Sequence, residues 1–220
     1  MDQALLLITL IEPVTRTMFI DRFLVSAEAY RIPIQLVFNK IDVLSEEQLA
    51  ELKKLQQKYE NIGYQTYAIS AYNQDDIAII RSILQNKVSV ISGHSGVGKS
   101  TLINAVDSHL QLKTGEISSS HQSGKHTTTF AEMFPLQFGG YIIDTPGVRG
   151  FGLVDIQKEE LGHYFKEIFE YSHHCKFNNC YHIQEPNCAV CKAVADGKID
   201  ANRYENYVRL YLDEDTKHRL

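Results

Sequence analysis

A glycine-rich segment that ends in lysine and serine, GHSGVGKS, occupies residues 93–100. It fits the pattern G-x-x-x-x-G-K-[ST], in which the glycines let backbone N–H groups turn toward phosphate oxygens. We expect Lys99 to reach the β- and γ-phosphates of a nucleotide and the Ser100 hydroxyl to bind Mg²⁺. The motif alone leaves kinases and ATPases open. The residues predicted to contact the phosphates are Gly93, His94, Ser95, Gly96, Val97, Gly98, Lys99, Ser100 and Thr101.

A second motif, NKID at residues 39–42, narrows the choice of base. The Asp42 carboxylate can accept two hydrogen bonds, from N1–H and from the exocyclic amine of guanine. Adenine lacks this pair of donors, and a polar site left unpaired discriminates strongly. We expect Asn39 and Lys40 to brace the loops and cover the base, and the Ala71 N–H to bind the guanine carbonyl oxygen. The predicted base-binding residues are Asn39, Lys40, Asp42, Ser70 and Ala71.

The segment DTPG, residues 144–147, supplies the remaining phosphate contacts. Asp144 is predicted to hold Mg²⁺ through water, and the Gly147 N–H to bind the γ-phosphate. The threonine run at residues 127–129 provides a hydroxyl that coordinates Mg²⁺ only when the γ-phosphate is present, and Thr128 is the preferred member of that run. Ser100 and Thr128 are therefore the predicted protein ligands of Mg²⁺.

The residue that orients the attacking water is less clearly marked. Ras-like enzymes usually carry a glutamine directly after the DxxG glycine. Here that position is Val148, whose side chain cannot hydrogen-bond to water, and so slow intrinsic hydrolysis is predicted. His126, beside the threonine run, is the best local candidate for a catalytic residue. The alternative, a solvent-exposed loop histidine, stays open at this point.

The order of these motifs is unusual. In a Ras-like GTPase the motifs follow in the order phosphate loop, switch threonine, DxxG, NKxD and SA-type motif. In this chain NKID is the first of the motifs and DTPG is the last. The difference is one circular shift. Predicted strands alternate with predicted helices, which favours a mostly parallel sheet covered on both faces. The strands are predicted at 4–11, 34–38, 64–69, 88–91, 130–137 and 141–143, and the helices at 14–29, from Ser45 to about 61, 75–84 and 99–106. Residues 113–126 are predicted to form a mobile loop.

Cys175, Cys180, His182 and Cys188 offer three thiolates and one imidazole within a short stretch. This set suits tetrahedral Zn²⁺, and four protein ligands indicate one structural ion with no open position for a reactive water. Cys191 is a fifth candidate because Cys188-x-x-Cys191 also has ligand spacing, although a small buried residue is the preferred interpretation. Further alternatives are the adjacent residues His173 and His174.

Length and composition agree with an ordinary globular protein. The chain has 220 residues, 44% hydrophobic and 22% charged, with a formal net charge of −5, so no overall charge attracts it to nucleic acid. No apolar run reaches the roughly 20 residues of a membrane span. We expect a circularly permuted Ras-like domain of class α/β at 1–152 and a small, mainly helical zinc-binding domain at 153–220.

The permuted NKID, GHSGVGKS, His-Thr-Thr and DTPG motifs, followed by C-x4-C-x-H-x5-C, resemble the RsgA (YjeQ) family of ribosome-associated bacterial GTPases. The resemblance covers essentially the whole chain. It implies GTP hydrolysis stimulated by the small ribosomal subunit, contact with that subunit and its rRNA, and a role in late subunit maturation. It also implies that His126 positions the water and that Zn²⁺ is bound by Cys175, Cys180, His182 and Cys188.

Family members carry an N-terminal OB-fold that contacts RNA, whereas this chain begins directly at the first GTPase strand. A cytoplasmic, monomeric protein with no membrane contact is expected. Two other functions remain open from sequence. One is a binding module that uses GTP only as a ligand, and the other is an ATPase with a nucleic-acid finger, against which Asp42 argues. GTP turnover with and without small ribosomal subunits distinguishes the binding module from an enzyme. Relative affinities for GTP and ATP test the ATPase alternative.

Overall fold

The structure, a computed structural model, describes residues 1–112, 132–144 and 156–212. These residues form a six-stranded sheet in the order β3-β2-β1-β4-β6-β5. All neighbouring strands are parallel except β5, which is antiparallel to β6. The strands are β1 (Gln3–Ile8), β2 (Ile34–Phe38), β3 (Gln65–Ala68), β4 (Val88–Ser92), β5 (Glu132–Pro135) and β6 (Tyr141–Asp144).

The helices lie between and after the strands. They are α1 (Thr17–Ala29), α2 (Glu46–Asn61), α3 (Gln74–Leu84), α4 (Lys99–Val106), α5 (Lys166–Ser172), α6 (Ala189–Ala195) and α7 (Ala201–Leu212), with short 3-10 helices at Ile41–Val43 and Lys158–Tyr164. The α2 helix begins at a capping box, in which the Gln48 N–H donates to Ser45 Oγ (3.3 Å) and the Ser45 N–H donates to Gln48 Oε1 (2.9 Å). None of the helices in the described parts of the chain is long and apolar enough to span a membrane.

The central strand β1 is buried along its whole length. Its sequence QALLLI is a nearly continuous apolar run, as expected for a parallel strand with both faces covered. Strands β1 and β4 contribute to a core with the inward faces of α3 and α4, which includes Leu5, Leu7, Ile80, Ile91 and Leu102. This core fixes the strand ends from which the motif loops project.

Most predicted elements are confirmed, with differences at their ends. Helix α4 has the predicted bounds, and the hairpin of β5 and β6 turns at Gly139 and Gly140, both with positive φ. Strand β1 ends at Ile8, and α1 begins at Thr17 instead of residue 14. The reason is a closed loop at residues 9–15, in which Thr15 Oγ1 accepts from the Thr9 N–H (3.2 Å) and Thr9 Oγ1 donates to the Pro13 carbonyl oxygen (2.5 Å). The predicted mobile loop at 113–126 lies outside the described residues.

The described chain divides into two compact units. The first contains residues 1–15, 32–112 and 132–144, and the second contains residues 16–31 and 156–212. Helix α1 therefore belongs to the second unit, although it lies within the segment predicted to form the first domain. Val25 of α1 packs in a core with buried residues of the later helices, which include Phe165, Val190 and Tyr207. The predicted boundary near residue 152 lies outside the described residues and stays a prediction.

Candidate functional site

The sheet has a topological switch point between β1 and β4. From β1 the chain continues to β2 on one side, and from β4 it continues toward β6 on the other. In open α/β sheets, ligands bind in the crevice beyond the carboxyl ends of the strands at such a point. The glycine-rich loop follows β4, NKID follows β2, and Ser70-Ala71 follows β3. The fold therefore gathers the predicted motifs at one edge of the sheet.

The glycines of the phosphate loop meet a steric requirement of the structure. A Cβ on Gly93 would lie 2.6 Å from the Leu7 carbonyl oxygen, and a Cβ on Gly98 would lie 2.5 Å from Asn39 Nδ2. Gly98 also has φ +95 and precedes the first residue of α4. A larger residue would strain the backbone at these positions. The loop thus passes close to β1 and to NKID, and the N-terminus of α4 offers positive potential beside it.

Asn39 joins the base motif to the phosphate loop. Its Nδ2 donates to the Val97 carbonyl oxygen at 2.9 Å, across 58 residues of sequence. The side chain is buried, and among the described residues its Oδ1 has no hydrogen-bond partner. Because a buried amide oxygen without a partner is costly, this atom is a candidate acceptor for a donor from a ligand or a water molecule.

Lys99 spans the phosphate loop. Its Nζ donates to the carbonyl oxygens of Gly93 (2.7 Å) and His94 (2.8 Å). Burial and the adjacent Lys99 ammonium lower the pKa of His94 below its ordinary value. Lys99 therefore places a positive charge within the loop, where its ammonium is held by two carbonyl oxygens. Ser100, on the first turn of α4, is buried.

The NKID and SA motifs lie side by side because the Ile41 N–H donates to the Ile69 carbonyl oxygen (3.2 Å). Lys40 has a left-handed backbone with φ +67, and its Nζ donates to the Glu12 carbonyl oxygen (2.7 Å). Asp42 lies exposed in the following 3-10 helix. The Ile41 N–H and the Lys40 ammonium therefore have partners within the protein, and the Asp42 carboxylate projects from a fixed turn.

Ser70 and its neighbours form a second fixed turn. The Ser70 N–H donates to Asp76 Oδ2 (2.8 Å), and the Tyr72 N–H donates to Ser70 Oγ (3.2 Å). Ser70 is thereby bound into the start of α3, while Ala71 between these residues is buried. The predicted contact of Ser70 with nucleotide stays a prediction.

Several predicted residues cannot be placed. His126, Thr128, Gly147 and Val148 lie outside the described residues. Asp144 is the last residue of β6, where it is the register partner of Ile91 on β4, and its side chain is likewise outside the description. Their predicted roles in Mg²⁺ binding and in catalysis therefore remain predictions.

The second unit contains the predicted group of metal ligands. The ligand atoms of Cys175, Cys180, His182 and Cys188 all lie within 4.8 Å of one another. His182 Nδ1 lies 3.4 Å from Cys188 Sγ and 3.6 Å from Cys175 Sγ, and the two sulfurs are 3.9 Å apart. A tetrahedral Zn²⁺ with bonds of about 2.3 Å to sulfur and about 2.05 Å to nitrogen requires edges of about 3.8 Å and about 3.6 Å. The residues present fit such an ion.

Cys191 is not a member of this group. Its Sγ donates to the His182 carbonyl oxygen (3.4 Å) and lies 3.5 Å from the Tyr204 hydroxyl. Its N–H donates to Cys188 Sγ (3.5 Å), an interaction that stabilises a thiolate. Burial raises the pKa of the Cys180 and Cys188 thiols and lowers the pKa of His182. Without metal, burial thus favours the neutral forms, and metal binding must release the thiol protons.

Two supports of the second unit could not be identified from the sequence. One is Glu185, whose carboxylate accepts backbone N–H bonds beside His182. Burial acts to raise the pKa of Glu185, but these hydrogen bonds outweigh it and hold the pKa below its ordinary value. A glutamate within a cysteine-rich loop carries no spacing signal that would mark this role.

The other support is a buried charge network around Arg203 on α7. The guanidinium donates to Asp21 Oδ1 on α1 (2.7 Å) and to both carboxylate oxygens of Glu167 on α5 (2.7 and 3.0 Å). Asp21 Oδ2 also accepts from Asn206 Nδ2 (2.6 Å). Arg203 and Asp21 are 1% and 0% exposed, so neither charge has water to solvate it. Each charge therefore depends on the others.

Comparison with known proteins agrees with this fold and these motifs. A family model described as RsgA GTPase matches residues 1–154. A small ribosomal subunit biogenesis GTPase RsgA from Phocaeicola vulgatus is 52% identical over 220 residues, which is 100% of this chain and 71% of that protein. The protein of the same name from Christiangramia forsetii is 52% identical over 219 residues, covering 100% of this chain and 70% of its own.

Two solved structures are also similar. YjeQ from Thermotoga maritima has a TM-score of 0.82 and 39% identity, covering 96% of this chain and 70% of that one. YloQ, described as a circularly permuted GTPase, has a TM-score of 0.78 and 36% identity, covering 96% and 67%. The predicted fold class is therefore confirmed as an α/β, mostly parallel, circularly permuted GTPase fold, followed by a region with a Cys3His group.

The fold, the motif loops and these relatives thus identify the chain as a GTP-hydrolysing enzyme of the permuted P-loop class. The chain belongs to the RsgA GTPase family.

Proposed function

We propose that this chain hydrolyses GTP during maturation of the small ribosomal subunit, and that the subunit stimulates its turnover. The observation that carries the proposal is the meeting of two distant motifs at one edge of the sheet, through the buried hydrogen bond from Asn39 to Val97. The names of the relatives support the ribosomal role. This role requires contact with the small ribosomal subunit, and we expect the rRNA of the subunit to be the surface contacted. The protein is expected to be a cytoplasmic monomer.

In the proposed site, the carboxylate of Asp42 binds the guanine N1–H and amine, and the Ala71 N–H binds its carbonyl oxygen. Asn39 and Lys40 brace the loop, because each already bonds to a backbone carbonyl of a neighbouring segment. The remaining base contact is assigned to Ser70 by its place beside Ala71.

The phosphates are proposed to lie along the glycine-rich loop, where the Lys99 ammonium neutralises charge that develops in the transition state. Mg²⁺, when bound with GTP, neutralises further phosphate charge. Its proposed ligands are Ser100 and Thr128, with Asp144 acting through water. His126 orients the attacking water, and the Gly147 N–H binds the γ-phosphate. The loop residues proposed to contact the phosphates are Gly93, His94, Ser95, Gly96, Val97, Gly98, Lys99, Ser100 and Thr101.

The metal of the Cys3His group is proposed to be one structural Zn²⁺. Three sulfurs and one nitrogen within 4.8 Å of one another match the set of ligands that Zn²⁺ prefers. With four protein ligands the site has no position for a reactive water, so the ion stabilises the fold. In this proposal the GTPase domain is the segment 1–152, of which α1 belongs to the second compact unit, and the zinc-binding domain is residues 153–220.

Replacement of Asp42 by alanine tests the base assignment. The variant is expected to bind GTP weakly and to lose its preference over ATP, because the two donors of guanine lose their acceptor. Nucleotide affinities are measured by titration calorimetry, with Asp75→Ala, an exposed carboxylate on the first turn of α3, as the control. An unchanged preference for GTP in Asp42→Ala would contradict the assignment.

Turnover of GTP with and without purified small ribosomal subunits tests the ribosomal role. We expect slow hydrolysis by the chain alone and a marked increase with small subunits but not with large ones. His126→Ala is expected to bind GTP normally and to lose most of the stimulated turnover. Equal GTP turnover by the chain alone, with small subunits and with large subunits would contradict a subunit-stimulated enzyme and favour a nucleotide-binding module.

A further inference from the structure

Glu185 binds the backbone on both sides of the metal-ligand candidate His182. Its Oε1 accepts from the Tyr181 N–H at 2.6 Å, and its Oε2 accepts from the N–H groups of Ile183 (2.9 Å) and Gln184 (3.1 Å). Three N–H groups that converge on one carboxylate are charge-assisted hydrogen bonds, which are shorter and stronger than neutral ones. The carboxylate therefore closes the chain into a compact turn around His182.

His182 occupies a backbone conformation that needs such a support. Its φ is +59, in the left-handed region, which costs an ordinary residue about 1–2 kcal/mol. In this conformation the buried ring presents Nδ1 to the sulfurs of Cys188 (3.4 Å) and Cys175 (3.6 Å). A relaxed backbone at His182 would turn the ring away from the two sulfurs.

Two carbonyl groups of the same turn are held by tyrosine hydroxyls. The Tyr207 hydroxyl donates to the Tyr181 carbonyl oxygen, and the Tyr204 hydroxyl donates to the His182 carbonyl oxygen, both at 2.7 Å. Both tyrosines lie on α7. The turn is thus bound through its N–H groups by Glu185 and through its carbonyl groups by α7, so the direction of the His182 ring is set before any ion binds.

We propose that Glu185 is a positioning residue for the metal centre, which acts by holding His182 in its ligand geometry and not as a ligand itself. Its carboxylate is not part of the group of ligand atoms within 4.8 Å of one another. The inference depends on the proposed Zn²⁺ site. Partners that orient a ligand in this way typically contribute about 10- to 100-fold to metal affinity.

The competing explanation is simple attraction between a carboxylate and a nearby dication. Glu185→Gln and Glu185→Ala separate the two explanations, because both remove the charge while only glutamine keeps an oxygen that accepts backbone N–H bonds. Positioning predicts a loss of about 10- to 100-fold for alanine and a clearly smaller loss for glutamine. Charge attraction predicts the same loss for both variants.

The experiment measures Zn²⁺ affinity of the full chain by competition with a chromophoric chelator. Glu170→Gln and Glu170→Ala, at an exposed carboxylate on α5, are the matched controls and should leave the affinity unchanged. In the Co²⁺-substituted protein, Glu185→Ala should shift the ligand-field bands as the imidazole ligand is lost, and the Glu170 variants should not. If Glu185→Ala fails to fold, Glu185→Gln alone distinguishes the two explanations. Positioning predicts an affinity loss clearly smaller than about 10-fold and an unchanged Co²⁺ spectrum for this variant, whereas charge attraction predicts the full loss of affinity, about 10- to 100-fold.

Equal affinities and equal Co²⁺ spectra for wild type and both Glu185 variants would overturn the positioning role and leave the zinc proposal intact. Equal losses for glutamine and alanine would also overturn it, in favour of charge attraction. A wild-type chain that takes up neither Zn²⁺ nor Co²⁺ would overturn the zinc proposal and the positioning role together. The failure of one proposal is therefore distinguishable from the failure of both.

Discussion

Arg203→Met is expected to destabilise the second unit far more than the same replacement at Arg209 in the same helix. Arg203 donates three hydrogen bonds to Asp21 and Glu167, and its side chain is 1% exposed. Methionine has a similar apolar stem, so the change mainly removes the charge and the donors. Two carboxylates are then left in a nearly dry environment.

The magnitude follows from burial. Breaking a buried ion pair by removal of one partner typically costs about 3–5 kcal/mol. Asp21 keeps its bond from Asn206, whereas Glu167 loses both of its bonds to the guanidinium, so we expect about 4 kcal/mol by that scale. Arg209 pairs with Glu205, but their side chains are 63% and 55% exposed, and Arg209→Met should cost less than about 1 kcal/mol.

Urea unfolding followed by far-UV circular dichroism measures both variants, since the chain has no tryptophan to serve as a fluorescence probe. Hydrogen exchange should show protection lost in α1 and α7 together for Arg203→Met. Adding Glu167→Gln to Arg203→Met removes one stranded charge, and so the double variant should be less destabilised than the sum of the single changes. Equal stabilities for the Arg203 and Arg209 variants, or protection lost in α7 alone, would refute this reasoning.

Three further predictions concern the other parts of the molecule. Gly98→Ala should abolish nucleotide binding because its Cβ would lie 2.5 Å from Asn39 Nδ2, whereas Gly63→Ala, with a similar φ and no atom within 4 Å of the added Cβ, should bind normally; fluorescent GDP titration compares them. Removal of the metal by a chelator should lower the melting temperature and the exchange protection of α6 and α7, and added Zn²⁺ should restore both. Nucleotide affinity should stay unchanged, and its loss on chelation would contradict a role confined to the second unit. Ser45→Ala should reduce the free energy of unfolding by about 1 kcal/mol through loss of the helix cap, measured by urea titration.

The sequence was most informative where backbone chemistry demands particular residues. The glycines at 93 and 98 were predicted to belong to a phosphate loop, and the structure shows that neither position has room for a Cβ, beside the Leu7 carbonyl oxygen and the Asn39 side chain respectively. The four-ligand group was predicted from spacing, and the same four residues converge. Helix α2 was predicted from its capping box and ends where expected. In each case the signal is local, so that neighbouring residues suffice to specify the structure.

Long-range partners were not predictable. Nothing in the α1 segment marks Asp21 as the partner of an arginine near the other end of the chain, because an acidic residue in a helix is most often solvent-exposed. For the same reason α1 was assigned to the first domain from its place between β1 and β2. The position of Cys191 was left open by spacing, and only its bonds to the His182 carbonyl oxygen and to Tyr204 separate it from the ligands.

Membership of α1 in the second unit has a consequence for synthesis of the chain. Asp21 and Arg203 are 182 residues apart in sequence, so α1 leaves the ribosome long before the helix that neutralises its aspartate has been made. Contacts of such separation close late, because loop closure must precede them. During translation Asp21 and Val25 of α1 therefore lack the partners that the later helices provide, and a nascent chain stalled before α7 should hold this helix in a state open to chaperones and proteases.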